Sequence, residues 1–293
     1  MQQRAPSMVP GNKPLLSSSK AYYCSRLLHF YKAKFKSFYI LIVPLNLAIF
    51  LIILSFVSSC SSSGTSNSVD DNGYHLIFDG KTLDGWEYDP VYWRIEKGVL
   101  IGEITPSTLL KRNSFIMKKD LVTRDFDLKV EYRVSSLGNS GINYRSEPID
   151  SLPYAMRGYQ ADIDGQNYYT GQNYEERGRT TLAYRGQKVI VNTPPGSTLL
   201  KDNIRNNAWT HTVVTGSLGS ADALKGRIRN EDWNEYHLIV KGNRLLHYVN
   251  GVLMSDVTDN DTVNRKFSGS LGVQVHVGPP MKIEYRNFRI KDL

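Results

Sequence analysis

Three short segments of this 293-residue chain combine apolar residues with side chains that can hydrogen-bond or titrate. They are NSGINYR at 139–145, GYQADID at 158–164 and LGVQVHV at 271–277. Each alternates between polar and apolar residues, as a strand does when one face packs on a core. If the three strands are sheet neighbours, their polar faces form one patch that contains Asn143, Arg145, Gln160, Asp162, Gln274 and His276. A carboxylate and an imidazole on one face can exchange protons near neutral pH, and this is acid–base chemistry.

A tyrosine-rich, turn-rich segment follows the second of these strands. Tyr168, Tyr169 and Tyr174 lie in it, and Glu175 and Arg179 follow shortly after. Aromatic rings interleaved with a few polar groups are typical of a small-molecule site, and a sugar needs both. We expect at least one of these tyrosines to stack on a sugar ring, and Arg179 to bind sugar hydroxyls. The plainer interpretation is a strand with a solvated face and an aromatic loop.

The first 59 residues differ in composition from the rest. They contain seven basic residues and no acidic residue, and an apolar run at 38–57 leads to Ser58, Ser59 and Cys60. This order predicts a lipoprotein signal peptide over 1–59, with Cys60 lipidated, followed by a flexible tether over 60–73 and a globular domain over 74–293. An uncleaved membrane anchor is the alternative, because the apolar run is long enough to span a bilayer. Both arrangements place the domain in the cell envelope, in the periplasm or at the outer membrane.

Charge and cysteine content narrow the function classes. The formal net charge of +8 comes from the leader, since residues 60–293 contain 29 basic and 28 acidic residues. This balance argues against a nucleic-acid partner. The cysteines are Cys24 and Cys60. The predicted domain therefore has no disulfide, no thiolate metal site and no cysteine nucleophile.

From residue 74 onward the chain consists of short alternating segments separated by Gly, Asn and Asp. The clearest strand is FDLKVEYRVS at 126–135, and 220–228 is the one segment that could form a short helix. The pattern predicts one all-β domain, a jelly-roll sandwich of two antiparallel sheets. We expect the four tryptophans, Trp86, Trp93, Trp209 and Trp233, to pack in its core or at strand edges, and His247 to be a packed histidine.

Six blocks of sequence resemble the 3-keto-disaccharide hydrolase domain family, and they occur in the family's order. The blocks are HLIFDGKTLDGWE at 75–87, YWRIEKGVLIGE at 92–103, NSGINYR at 139–145, GYQADI at 158–163, DWNEYHLIVKGNRLLHYVNGV at 232–252 and LGVQVHVGPPMKIEYRNFRIKDL at 271–293. The resemblance implies a concanavalin A-like lectin/glucanase jelly roll with a sugar groove on its concave sheet. It also implies cleavage of 3-keto-glycosides, and many members of the family are exported lipoproteins.

The implied substrate defines the chemistry to look for. A sugar with a ketone at C3 has acidic protons at C2, so a base can start β-elimination of the group at C1, and water then adds back. His276 suits the base or the acid role, with Asp162 or Glu175 as its partner carboxylate. Arg145 could hold the enolate oxygen. No cofactor is certain, but a divalent metal bound by Asp162, Glu175 and His276 could take that role.

Three other functions remain open at this point. A non-catalytic, lectin-like carbohydrate-binding lipoprotein would use the same polar groove, with Asn143, Gln160 and Gln274 binding hydroxyls. A scaffold protein would use the sandwich only to contact another protein. An ordinary two-carboxylate glycosidase is the third alternative. Against it, the ExDxxE strand signature of glucanases is absent, because QADID has Gln160 where the first glutamate would stand.

Overall fold

Alternating apolar residues build two stacked β-sheets in the computed structural model, which describes residues 69–196 and 199–293. The strands of this part of the chain are β1 (His75–Leu76), β2 (Trp86–Glu87), β3 (Trp93–Glu96), β4 (Val99–Ile104), β5 (Ser114–Thr123), β6 (Phe126–Val134), β7 (Asn139–Pro148), β8 (Met156–Asp164), β9 (Asn173–Glu176), β10 (Thr180–Ala183), β11 (Gln187–Val191), β12 (Ile204–Arg205), β13 (Ala208–Trp209), β14 (Thr212–Ser217), β15 (Asn234–Lys241), β16 (Arg244–Val249), β17 (Val252–Asp259), β18 (Gly269–Val275) and β19 (Met281–Asp292). These described residues belong to one compact unit.

The strand order shows how distant segments become neighbours. The first sheet runs β14-β11-β17-β16-β15-β6-β19-β4-β3, with β1 paired to β19, and the second runs β12-β13-β10-β9-β8-β7-β18-β5-β2. The predicted jelly-roll sandwich is confirmed. The expectation of purely antiparallel sheets is wrong in two places, because β11–β17 and β10–β13 are parallel. Neither parallel pair consists of strands joined by a hairpin, a connection that would have forced antiparallel pairing.

The core lies between the two sheets and follows the alternation of the sequence. Phe126, Leu128 and Val130 of β6 are fully buried, as are the matching inward residues of the neighbouring strands. Trp86, Trp93 and Trp209 are buried in this core as predicted. Trp233 packs at a strand edge, directly before β15. It is half-buried and stacks under the guanidinium of Arg286, with 3.9 Å between the guanidinium carbon and the ring centre.

His247 is a packed histidine, as predicted. It has no exposed surface, and its Nε2 lies 2.8 Å from the hydroxyl of Tyr144 across the core. Burial lowers the pKa of His247 to about 3, so the ring is neutral at physiological pH. Its role is therefore to join the two sheets by a hydrogen bond.

Helical structure is scarce, because few segments have a helical period. Apart from a 3-10 turn at Leu200–Asn203, the described residues contain one helix, α1 (Ala221–Lys225). Ser220 caps it by accepting a hydrogen bond from the backbone of Ala223, so the helix predicted at 220–228 forms but is shorter. In the part of the chain described, no helix is long and apolar enough to cross a membrane. The predicted signal peptide, Cys60 and most of the tether lie outside that part.

Candidate functional site

The polar faces of β18, β7, β8 and β9 adjoin, because these strands are consecutive neighbours in the second sheet. Gln160 of β8 lies opposite Asn143 on one side and opposite Tyr174 on the other. Asp162 lies opposite Gly141. Directly opposed residues project from the same face of a sheet. The registers therefore bring Asn143, Gln160, Asp162 and Tyr174 together, although they come from three separate segments.

A cavity of about 300 Å³ opens over this face, a size within the range of small-molecule sites. Five of the residues singled out in the sequence line it: Gln160, Asp162, Tyr169, Tyr174 and His276. Four more were not predicted to bind: Asn139, Gln172, Glu176 and Asn207. The lining is rich in carboxamides, hydroxyls and carboxyls, which suits a ligand with many hydroxyl groups.

Asp162 is the most perturbed carboxyl group on the cavity wall. Burial raises its pKa to about 7, and the nearby carboxyls of Glu176 and Asp164 add to the effect. Two amides lower the pKa of Asp162 by donating hydrogen bonds to its carboxylate. Gln172 Nε2 donates to Oδ2 at 2.5 Å, and Gln160 Nε2 donates to Oδ1 at 2.7 Å. Near neutral pH this group therefore exists in both its acidic and its basic form.

Glu176 supplies a second buried carboxyl group. Burial raises its pKa, while hydrogen bonding by Asn113 and the charges of Arg177 and His276 act in the opposite direction. Asn113 Nδ2 donates to Glu176 Oε1 at 3.2 Å. Sequence reasoning missed this residue, although the alternation of β9 pairs Glu176 with Tyr174 on one face.

His276 follows β18 directly and is half-buried at the cavity wall. Its Nδ1 lies 2.7 Å from the carbonyl oxygen of Val277. A carbonyl can only accept, so Nδ1 carries the proton and donates. In the neutral ring the lone pair is therefore on Nε2, and that nitrogen is available as a proton acceptor.

An amide chain under the cavity fixes how Gln160 is oriented. Gln274 Nε2 donates to Gln160 Oε1 at 3.4 Å, so the amino group of Gln160 points to Asp162. Within the described residues, Asn143 Oδ1 and Nδ2 and Gln274 Oε1 are buried without a hydrogen-bond partner. Unpaired polar atoms are costly in a core. Asn143 and Gln274 have no exposed surface and do not line the cavity, so the structure places them beneath its floor and not in the contact with ligand hydroxyls that the sequence predicted.

The predicted place of Arg145 in this patch is wrong. The pairing of β7 with β8 shifts register between Tyr144 and Glu147, and Arg145 itself has φ of 45°. This bulge turns its side chain away from the cavity. The guanidinium, 1% exposed, donates to four groups elsewhere: the carbonyls of Arg124, Gly242 and Lys266 and the carboxylate of Asp125. Arg145 therefore anchors loops and cannot hold an enolate oxygen here.

Glu175 and Arg179 are also absent from the cavity described above. Glu175 is opposite Tyr159, on the face of β9 that is turned to the core. Arg179 is fully buried and donates to Glu175 Oε2 at 2.7 Å and to Asp259 Oδ2 at 2.7 Å, with Asp261 Oδ2 at 3.3 Å. The two residues thus form a buried ion network, and the prediction that they contact substrate is wrong.

The metal site predicted from Asp162, Glu175 and His276 does not form, because its three residues do not lie together. Asp162 and His276 face the cavity, whereas both oxygens of Glu175 are held by Arg179 on the opposite side of the sheet. Across residues 69–196 and 199–293, no group of three or more His, Cys, Asp or Glu residues is arranged to hold a metal ion.

The tyrosines divide between cavity and surface. Tyr169 and Tyr174 line the cavity, and Tyr174 donates from its hydroxyl to Asn207 Oδ1 at 3.3 Å. Burial raises the pKa of Tyr174 to about 12, so its hydroxyl stays protonated. Tyr168 is 67% exposed and lies under the ammonium of Lys225, outside the cavity lining. Tyr169 is therefore the better stacking candidate.

Comparison with known proteins places this chain in a family. Residues 73–291 match the 3-keto-alpha-glucoside-1,2-lyase-like domain. The match covers well over half of the chain, and the protein belongs to this family.

A more particular relative is the 3-keto-disaccharide hydrolase of Bacteroides thetaiotaomicron. It is 26% identical over 198 residues, which cover 61% of this chain and 56% of the relative, so the match spans little more than half of that protein. Among solved structures, a carbohydrate-binding module from Bacillus subtilis has a TM-score of 0.43 at 14% identity, covering 71% of this chain and 96% of that one. A β-glucanase from Bacillus licheniformis has a TM-score of 0.42 at 12% identity, covering 75% and 97%.

Proposed function

We propose that this protein is a glycoside-cleaving enzyme that acts on 3-keto-glycosides and 3-keto-disaccharides. Membership in the lyase-like family and the hydrolase relative support the reaction class. The observation that carries the proposal is the buried carboxyl of Asp162, which lines a polar cavity together with Glu176 and His276. Its pKa is raised to about 7. Sugar binding alone has no use for a desolvated acid, whereas proton transfer at neutral pH depends on one.

The first step is removal of the C2 proton, which the C3 ketone makes acidic. The ionised form of Asp162 is held in place by Gln160 and Gln172 and takes this proton. Negative charge moves to the C3 oxygen, where the side-chain amides of Asn139 and Asn207 are the available donors in the cavity. They take the role that the sequence had suggested for Arg145.

The second step breaks the bond between C1 and the aglycone oxygen. The electron pair leaves with that oxygen, and Glu176 protonates it, because burial keeps a proton on this carboxyl to higher pH than usual. A C1=C2 double bond remains in the oxidised sugar. Acid assistance of this kind typically contributes a rate factor of about 10²–10⁴.

Water then adds to C1 and completes a net hydrolysis. His276 Nε2 accepts the proton of the attacking water, since Nδ1–H is committed to the carbonyl of Val277. Asp162 returns its proton to C2, and His276 passes its proton to Glu176. All three groups end in the state in which they began, so the cycle needs no external acid or base.

The test is turnover of a methyl 3-keto-glucoside against its unoxidised parent, followed by chromatography of the released alcohol and sugar. The expected result is cleavage of the keto compound alone, reduced about 100-fold or more in Asp162→Asn. The matched control is Asp84→Asn, which changes an exposed carboxylate outside the cavity lining. Saturable binding of sugars without cleavage of the keto compound would refute the proposal and indicate a carbohydrate-binding protein.

We also propose that the enzyme is anchored in the cell envelope through a lipid on Cys60. The support is the order of basic, apolar and small residues before that cysteine. Metabolic labelling with a radioactive fatty acid should label the wild-type chain and not Cys60→Ala. A labelled variant would contradict the assignment of this cysteine.

A further inference from the structure

A second cavity of about 230 Å³ lies next to the proposed active site. The residues of interest on its wall are Tyr92, Lys111, Arg112, Asn113, Ser114 and Tyr154. Two phenol rings, a hydroxyl and two cations give it both stacking surfaces and hydrogen-bond donors. None of these six residues lines the first cavity.

Two features of this second cavity point to a ligand. The Oγ of Ser114 is buried and has no hydrogen-bond partner, while the whole residue is only 6% exposed. A buried hydroxyl without a partner costs free energy that a ligand hydroxyl would recover. Tyr154 adopts φ of 55°, an unfavourable conformation for a bulky residue, and its carbonyl is held by the backbone N–H of Phe115 at 2.9 Å. Such conformations are concentrated at binding sites.

Asn113 connects the second cavity to the catalytic groups. Its Nδ2 donates to Glu176 Oε1 at 3.2 Å, and its Oδ1 accepts from the backbone of Val277 at 2.9 Å. Glu176 belongs to the wall of the first cavity and Asn113 to the wall of the second. The acid that protonates a glycosidic oxygen must lie between the two units that this oxygen joins. Glu176 occupies that position, at the border of the two cavities.

We propose that the second cavity is the subsite for the leaving unit, and that it accepts a sugar ring. The inference rests on the function proposed above and deepens it, since it makes disaccharides the preferred substrates over glycosides of small alcohols. The ring would stack on Tyr154, and its hydroxyls would contact Ser114 Oγ and the side chains of Lys111 and Arg112.

The experiment compares two substrates in the full-length protein. One is a 3-keto-disaccharide made of two glucose units, and the other is methyl 3-keto-glucoside, which has no second ring. Tyr154→Gly removes the phenol and keeps a residue suited to positive φ. Ser114→Ala removes only the hydroxyl. Tyr184→Ala is the control, because Tyr184 is an exposed tyrosine away from both cavities.

We expect kcat/KM for the disaccharide to fall about tenfold in Tyr154→Gly, as an aromatic contact warrants. In Ser114→Ala we expect a loss of about three- to tenfold, as for a single hydrogen bond. The methyl glycoside should react within about twofold of the wild-type rate in both. Equal losses for the two substrates, or no loss for the disaccharide in variants with a wild-type melting temperature, would overturn the subsite.

A separate readout keeps this test independent of the reaction. If the wild type cleaves neither keto substrate, the proposed function fails, and the subsite is then judged by calorimetric titration with the unoxidised disaccharide. Weaker binding in Tyr154→Gly than in wild type or Tyr184→Ala supports a sugar subsite. Identical binding in all three proteins refutes it.

Discussion

Asp162 should destabilise the fold at neutral pH while it acts as the proposed base, and Asp162→Asn separates the two effects. The carboxyl is buried, and its hydrogen-bond donors are two neutral amides. An asparagine of the same shape carries no charge that must be desolvated. Gln172 can rotate its amide to accept from the new amino group, whereas Gln160 is kept in its orientation by Gln274. We therefore expect a more stable and inactive variant.

The size of the effect follows from the pKa of Asp162, about 7 in the folded protein against an ordinary 3.8. At 1.36 kcal/mol for each pH unit, the difference corresponds to about 4 kcal/mol. The folded state retains the proton longer than the unfolded state does, so this group favours folding fully below pH 3.8. That contribution is lost as pH rises through 7. Relative to wild type, Asp162→Asn should gain up to about 4 kcal/mol across this window.

The assay is urea unfolding of both proteins at several pH values between 4 and 8.5. The difference in the free energy of unfolding between variant and wild type is the quantity to follow, because it removes the contributions of all other titrating groups. Asp84→Asn, at an exposed carboxylate outside the cavity lining, is the control for the substitution itself. A difference that stays flat from pH 4 to 8.5, or a variant that is less stable at pH 8, would refute our account of Asp162.

Five further substitutions test how the site is divided between catalysis, binding and structure. Arg179→Met should lower the free energy of unfolding by about 3–5 kcal/mol in urea titrations, because three buried carboxylates lose their cation; a shift in KM alone would mean that it binds substrate. Glu176→Gln should lower kcat about 100-fold or more without lowering the melting temperature, whereas Glu175→Gln should lower the melting temperature. Tyr169→Ala should raise KM about tenfold in steady-state kinetics, and Tyr168→Ala should leave KM within about twofold.

The sequence was informative where function follows strand alternation. Gln160 and Asp162 could be placed on one face with the right neighbours, because β8 is long and strictly alternating. The all-β sandwich followed from the same pattern. Alternation also carried a signal for Glu176, since this residue shares a face of β9 with Tyr174.

The failures arose from features that no local pattern encodes. A bulge after Tyr144 reverses the direction of Arg145, and the register shift depends on its partner strand. Arg179 is buried because Asp259 and Asp261 reach it from 80 and 82 residues further along the chain. Such non-local charge pairing is fixed only by the folded topology. The hydrogen bond between Asn113 and Glu176, where the two cavities meet, likewise joins residues that are 63 positions apart.

The two faces of strand β9 have different roles, and this has a consequence for how the proposed enzyme can diverge. Glu175 faces the core and belongs to the buried ion network, while Tyr174 and Glu176 face the cavity. Exchanging an outward residue leaves the inward anchorage intact. Substitutions on the cavity face of β9 could therefore change which sugars are preferred without destabilising the fold.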